Sequence, residues 1–403
     1  MKPGDNTNKG LLGGVKVLDV GEGVSAPYAA RTLAWLGADV MKVEPPEGDL
    51  SRRMGPFPYN VAHAEKSALF LALNAGKRGV TLDLQSEEGR ARFLNLAANA
   101  QIVVDNHPNT WLRERGVGYE ELSAVREDVI LCQITPFGDW GPYSEYHAGD
   151  LSLFHMSANA HGILGPVEDP NSEPSIRAGG RQAEQVAGMA AVTSTLTALF
   201  ATRMSGRGCH IIVSAFEAMA TQAIAGLSNI AFGGDSPTRN LAEVREASIG
   251  GQVSAIGGVL PCSDGFVAIS PREDAQWARW LDMMGSPDWS DDPKFNTREA
   301  RQKNADELWT LLSEWTAQRS KQDIAREGQR RRIPCFPVNT VKDLMTDPHL
   351  EDRRFFVPIP HPAAGELRYP GVPYKLSQTN LPMGSIPAPI LGQHNRELLN
   401  IAK

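Results

Sequence analysis

Apolar and polar positions alternate in short blocks along the first half of the chain. Val15-Lys16-Val17-Leu18-Asp19-Val20 is a β-branched run that reads as a strand, and Gly21-Glu22-Gly23 ends it. Tyr28–Leu36 predicts a helix, and Gly37 stands where helices usually stop. Asp39–Glu44 is a second strand. Together these make a strand-helix-strand unit, which implies parallel strands covered by helices. The alternation continues with a strand over Val80–Leu84 and a helix over Gly89–Ala98 opened by Ser86-Glu87-Glu88. Ile102–Asp105 and Val129–Ile134 are further strands. Gln182–Arg203 predicts a long helix whose small residues, Gly188 among them, let another element come close; Cys209–Val213 then returns to strand.

The pattern changes after about residue 225. Asn229–Gly258 is loop-like, Trp277–Arg330 is helical, and prolines punctuate the remainder of the chain. The expected fold class is α/β. It has a Rossmann-like large domain over 1–225, a small inserted α/β domain over 226–330, and a return to the large domain over 331–403. A length of 403 residues suits two cores, and 41% apolar with 22% charged residues suits a globular enzyme. The formal net charge of -7 argues against nucleic acid or an anionic membrane as partner. Cys132, Cys209, Cys262 and Cys335 are scattered, without metal-ligand spacing. The polar start of the chain and the lack of a long apolar run lead to the expectation of a soluble, cytoplasmic protein.

Gly21-Glu22-Gly23-Val24-Ser25-Ala26 matches a dinucleotide-binding turn, and Glu44 stands where an acid would meet a ribose. An NAD-binding oxidoreductase is one reading. Pro27 weighs against it, because it withholds an amide where a pyrophosphate would dock.

The remaining motifs point elsewhere. Leu12–Asp19, Leu36–Pro46 with Gly48-Asp49 and Arg52, and Asn74–Leu84 occur in order. Gly138–Tyr143, Gly206-Arg207-Gly208, Asp347–Leu350 and Leu391–Asn395 come after them. In these blocks the sequence resembles the family III coenzyme A transferases (CaiB/BaiF, formyl-CoA transferase-like) over essentially its whole length. The resemblance implies an interlocked dimer of large and small domains. It also implies covalent catalysis, in which an aspartate attacks an acyl-CoA carbonyl and a mixed anhydride and an aspartyl thioester form in turn. CoA is then a moiety of the substrate, an acyl-CoA and a carboxylic acid are the reactants, and no cofactor is bound permanently.

The same resemblance places Glu184 at the position of the family aspartate, one methylene longer, four residues before Gly188. It places Gly23, Val24, Leu82, Asn106, His107, Arg113 and Arg115 around CoA. Asn106-His107-Pro108-Asn109-Thr110 replaces the family's Asn-Phe and Arg-Pro-Gly turn, and Glu114 takes the place of an arginine. Pro45 and Gln85 are neutral where relatives carry basic residues, leaving Lys42, Arg52 and Lys77 as the nearby cations. Gly250-Gly251-Gln252 and Gly257-Gly258 stand for a glycine-rich lid. A racemase reading lacks its base, because Gly149 stands at the racemase histidine beside His147 and Asp150. His155 and His161 read as packing or surface groups. The fold kept and the site eroded together suggest the aspartate-lacking subunit of a benzylsuccinate-type, succinyl-CoA-using heterotetramer. A self-sufficient transferase using Glu184 is the alternative.

Overall fold

The computed structural model describes residues 10–163, 165, 167–236, 238–240, 258–271 and 273–399. Its main sheet has six parallel strands: β1 (Lys16–Asp19), β2 (Asp39–Glu44), β3 (Lys77–Thr81), β4 (Ile102–Asp105), β5 (Ile130–Thr135) and β6 (Cys209–Ser214). They lie in the order β3-β2-β1-β4-β5-β6. The order reverses between β1 and β4, and in open α/β sheets ligands bind at that switch point, beyond the carboxyl ends of the strands.

Every residue of β4 and β5 is buried, as expected of strands covered on both faces. One face packs against α1 (Ser25–Trp35), α2 (Ala68–Asn74), α6 (Asp150–Met156) and the long α7 (Gln182–Ser205), through Leu33, Phe70, Phe154, Ala187 and Ala191. The other packs against α3 (Glu87–Ala97), α4 (Trp111–Glu114) and α5 (Tyr119–Val125), through Phe93, Leu112 and Leu122. Gly188 lets α7 lie tightly on α1: a Cβ there would stand 2.8 Å from the Ser25 carbonyl oxygen. By length and composition α7 could cross a membrane, despite the expectation that no segment would. Its buried stripe of Ala183, Ala187, Gly188, Ala191 and Val192 instead makes it a core helix of the sheet.

α1 and β3 each start three residues earlier than the sequence reading places them. α1 starts at Ser25, because proline fits the first turn of a helix and Pro27 therefore lies inside it. β3 starts at Lys77, because this lysine is fully buried against Asp19 and pairs within the sheet despite its charge. Ser86 does cap α3, accepting the Gly89 N–H at 3.0 Å.

The chain divides into two compact units. The smaller one takes residues 164–174 and 236–350, and the larger takes the rest. These limits differ from the expected 226 and 331 for two reasons. The helix Ile224–Ala231 stays with the large unit, and Cys335–Pro337 belongs to the small unit's sheet. That sheet is antiparallel, built from β7 (Gly258–Cys262), β8 (Gly265–Ile269) and β9 (Cys335–Pro337). It packs with Trp277, Trp280, Phe295, Leu308 and Ile324.

In the large unit the C-terminal segment covers the free edge of β3. His394 exchanges hydrogen bonds with Gly79, its N–H donating to the carbonyl at 3.0 Å and its Nδ1 accepting the amide at 3.1 Å. Asn395 accepts the Thr81 N–H at 2.8 Å and donates to its hydroxyl at 2.8 Å. An otherwise open row of backbone groups is thereby satisfied.

Candidate functional site

The turn after β1 is fastened from three sides. Asn106, just past β4, accepts the Glu22 N–H at 2.8 Å and donates to the Glu22 carbonyl at 2.8 Å and to Ser25 Oγ at 3.0 Å. Only glycine fits at position 21, because a Cβ would stand 2.5 Å from Asn106 Oδ1 and 2.3 Å from the Ala26 methyl. Lys42 donates to the Gly21 carbonyl. Gly23, at φ +74°, donates its N–H to Asp49 Oδ1 at 3.1 Å.

Beneath the turn lies a buried ion network. Lys42 pairs with Asp49 at 2.7 Å and lies 3.7 Å from Asp19, while Lys77 pairs with Asp19 at 2.7 Å. Burial works against the Lys42 ammonium, but Asp19, Asp49 and Glu44 outweigh it and hold its pKa above the ordinary lysine value. Burial prevails at Lys77 and, only partly offset by Asp19, pulls its pKa down to about 8. Arg52 grips Glu44 at 2.6 and 2.8 Å, Glu65 at 2.7 Å and the Pro389 carbonyl at 2.9 Å, with its guanidinium 3.7 Å from the Phe70 ring centroid. The three cations left near the expected phosphate positions are therefore committed internally. Glu44 is held by Arg52, so the dinucleotide reading loses its ribose partner and, at Gly23, its free amide.

Above the turn a cavity of about 420 Å³ opens at the ends of β1, β2, β3 and β4. Leu82, His107 and Arg115 line it, as do Glu22, Glu47, Asp83 and Trp111. His107 is tightly oriented. Its Nδ1 lies 2.6 Å from the buried Asp105 carboxylate and its Nε2 lies 4.0 Å from Glu22. Its ring stacks on Trp111 with centroids 3.7 Å apart, and Arg115 covers Trp111 at 4.0 Å. Burial, then the charge of Asp49, raises the pKa of Glu22 against the pull of His107 and Lys42.

Of the residues expected around CoA, Leu82, His107 and Arg115 share this cavity. Asn106 lines a second cavity of about 590 Å³ beside it, with Asn109, Thr135 and His147. Gly23 and Val24 shape the turn and line neither cavity, and Val24 is buried at the start of α1. Arg113 and Glu114 are exposed and line neither, so the substitution at Glu114 does not face the cavity; Arg115 does. Trp111 and Asp105 escaped the sequence reading. Trp111 and Arg115, four apart at the start and C-cap of α4, carry the spacing that could have paired them, whereas His107 precedes the helix and no local pattern marks its stack.

Glu184 sits in the first turn of α7 and lines neither cavity. Arg181 holds it at 2.9 Å. Burial raises its pKa, and Arg181 works in the opposite sense. Asp150 accepts the Ala183 N–H at 2.9 Å and pairs with Arg177 at 2.8 Å, so it anchors the start of α7. His155 is tied to the Leu151 and Ser175 carbonyls. Gly250-Gly251-Gln252 and Gly257 of the expected lid lie outside the described residues.

The model of CoA-transferase family III matches residues 12–395. The subunit BbsE of succinyl-CoA:(R)-benzylsuccinate CoA-transferase from Thauera aromatica is 32% identical, over 95% of this chain and 92% of that protein. A succinate–glutarate CoA-transferase from Agrobacterium fabrum is 30% identical, over 96% of this chain and 94% of that protein. The crystal structure of a CAIB/BAIF family protein from Brucella suis superposes with a TM-score of 0.84 at 30% identity, covering 96% of this chain and 98% of that one.

Proposed function

The chain belongs to CoA-transferase family III, and from that premise we propose that it is the subunit of a hetero-oligomeric transferase that does not carry the covalent step. The assembly moves CoA from an acyl-CoA such as succinyl-CoA to an organic carboxylic acid, in the cytoplasm, and the aspartate comes from a homologous partner. The observation that carries this reading is the state of Glu184. A nucleophilic carboxylate must reach the thioester carbonyl unencumbered, because misplacement by about 1 Å costs roughly a hundredfold in rate. Glu184 is instead paired with Arg181, at the start of its own helix, and lines neither cavity. The similarity to a relative named as a subunit supports the same reading.

The exposed apolar residues Met189, Phe200 and Met204 of α7, with Ile224, Leu227 and Phe232, supply a surface for the homologous partner, in the interlocked arrangement the family implies. The test is to purify the chain alone and co-expressed with an aspartate-bearing homologue, and to assay both with succinyl-CoA and a panel of carboxylic acids. The chain alone is expected to be inactive and the pair active. Trapping with hydroxylamine and mass spectrometry should place the acyl adduct on the partner. Turnover by the chain alone, with the adduct at Glu184, would establish the self-sufficient enzyme instead.

A further inference from the structure

The cavity at the ends of β1–β4 has an electrostatic character that bears on which ligand it accepts. Resting on the reading of this cavity as the nucleotide end of a CoA site, we propose that it recognises a nucleoside by its hydrogen-bond donors and does not read phosphate. Dephospho-CoA, which lacks the ribose phosphate, then binds at least as well as CoA.

Three observations lead there. First, the acidic residues Glu22, Glu47 and Asp83 are among those lining the cavity, whereas Arg115 spreads its guanidinium over Trp111 and donates to the Trp111 carbonyl at 3.0 Å. Glu44 also lines it but is neutralised by Arg52. Second, two amides of the turn are already used: Glu22 N–H goes to Asn106 and Gly23 N–H to Asp49. A turn that cradles phosphate needs such amides free. Third, His107 is spent on protein carboxylates: its Nδ1 lies 2.6 Å from Asp105, which only accepts hydrogen bonds, and its Nε2 is turned towards Glu22 at 4.0 Å, so the ring is not held free for a phosphate. Acceptors therefore dominate the polar lining. An adenine amine and ribose hydroxyls bring donors to them, while a phosphate brings negative charge. Val20, Leu82 and Leu84 supply apolar wall for a flat base.

The experiment is calorimetric titration of the full chain with CoA and with dephospho-CoA, repeated on the double variant Glu22→Gln/Asp83→Asn. Dephospho-CoA is expected to show a Kd equal to or below that of CoA. Each neutralised carboxylate should shift the ratio towards CoA by about threefold, the size of a solvent-screened charge pair several ångströms apart. A tenfold or greater preference of the unaltered chain for CoA overturns the proposal and leaves the CoA reading intact. A ratio unmoved by the double variant also overturns it. Absence of binding by either ligand, with circular dichroism showing a folded chain, overturns the CoA reading of this cavity and the specificity claim together.

Discussion

Arg52 illustrates how much a single side chain can settle. Sequence marks it as part of a motif block and as one of the cations near the expected phosphate positions. Burial makes it structural: it neutralises Glu44 and Glu65 and ties in the Pro389 carbonyl. Arg52→Met should cost about 3–5 kcal/mol, because it strands a buried carboxylate, and urea unfolding of the variant measures that loss. Glu184→Asp has the opposite character. Shortening the side chain weakens its hold on Arg181 but does not bring the carboxylate into either cavity. Hydroxylamine trapping after exposure to succinyl-CoA should therefore find no adduct at position 184, and efficient labelling there would contradict the proposed division of labour. Leu82, His107 and Arg115 were legible as site residues through the resemblance to the family, which aligns them with its CoA-binding positions, and they do share one cavity. The commitment of Lys42, Arg52 and Lys77 was not, since ion pairing between distant positions leaves no periodicity.

Elements are more legible in the sequence than partners. β2 and β4 occupy the residues that their apolar pattern predicts, and α7 begins at the expected Gln182. Where element and pattern part, tertiary contacts overrule local signals, as at Lys77. The tight crossing of α1 and α7 gives a direct test: Gly188→Ala places a methyl against the Ser25 carbonyl and Tyr28. It should destabilise the fold by about 1–3 kcal/mol, read by denaturant titration. In the small unit, Asp343 joins two elements by accepting from Lys321 at 2.6 Å while capping the helix Val341–Met345 through Thr340. The Lys321 hydrogen bond, then those from Thr340, lowers its pKa to about 2. A carboxyl depressed in the folded state stabilises above its unfolded value, near 4, and loses that contribution as pH falls towards 2. The Asp343→Asn variant should therefore melt below the unaltered chain at pH 6. The two should converge between pH 4 and pH 2 in thermal scans.

For the whole molecule, the parallel sheet and the inserted unit are legible in the order of apolar blocks. The exact return point is not, because β9 is a three-residue strand whose membership depends on pairing with β8. The exposed apolar positions on α7 and on the helix Ile224–Ala231 lead to an expectation about assembly. Sedimentation at micromolar concentration should show the chain in complex with another copy of the fold, and preferentially with an aspartate-bearing homologue when both are present. A stable folded monomer would count against that expectation. The covered edge of β3 fixes the order in which the molecule can be completed. β3 emerges from the ribosome early, yet the groups that close its outer edge belong to His394 and Asn395, after the chain has built and left the small unit. Throughout synthesis the nascent large unit thus carries an open strand edge able to pair with a neighbouring chain on the same messenger. His394 and Asn395 close it, so a protein truncated just before them should be lost to aggregates rather than merely weakened.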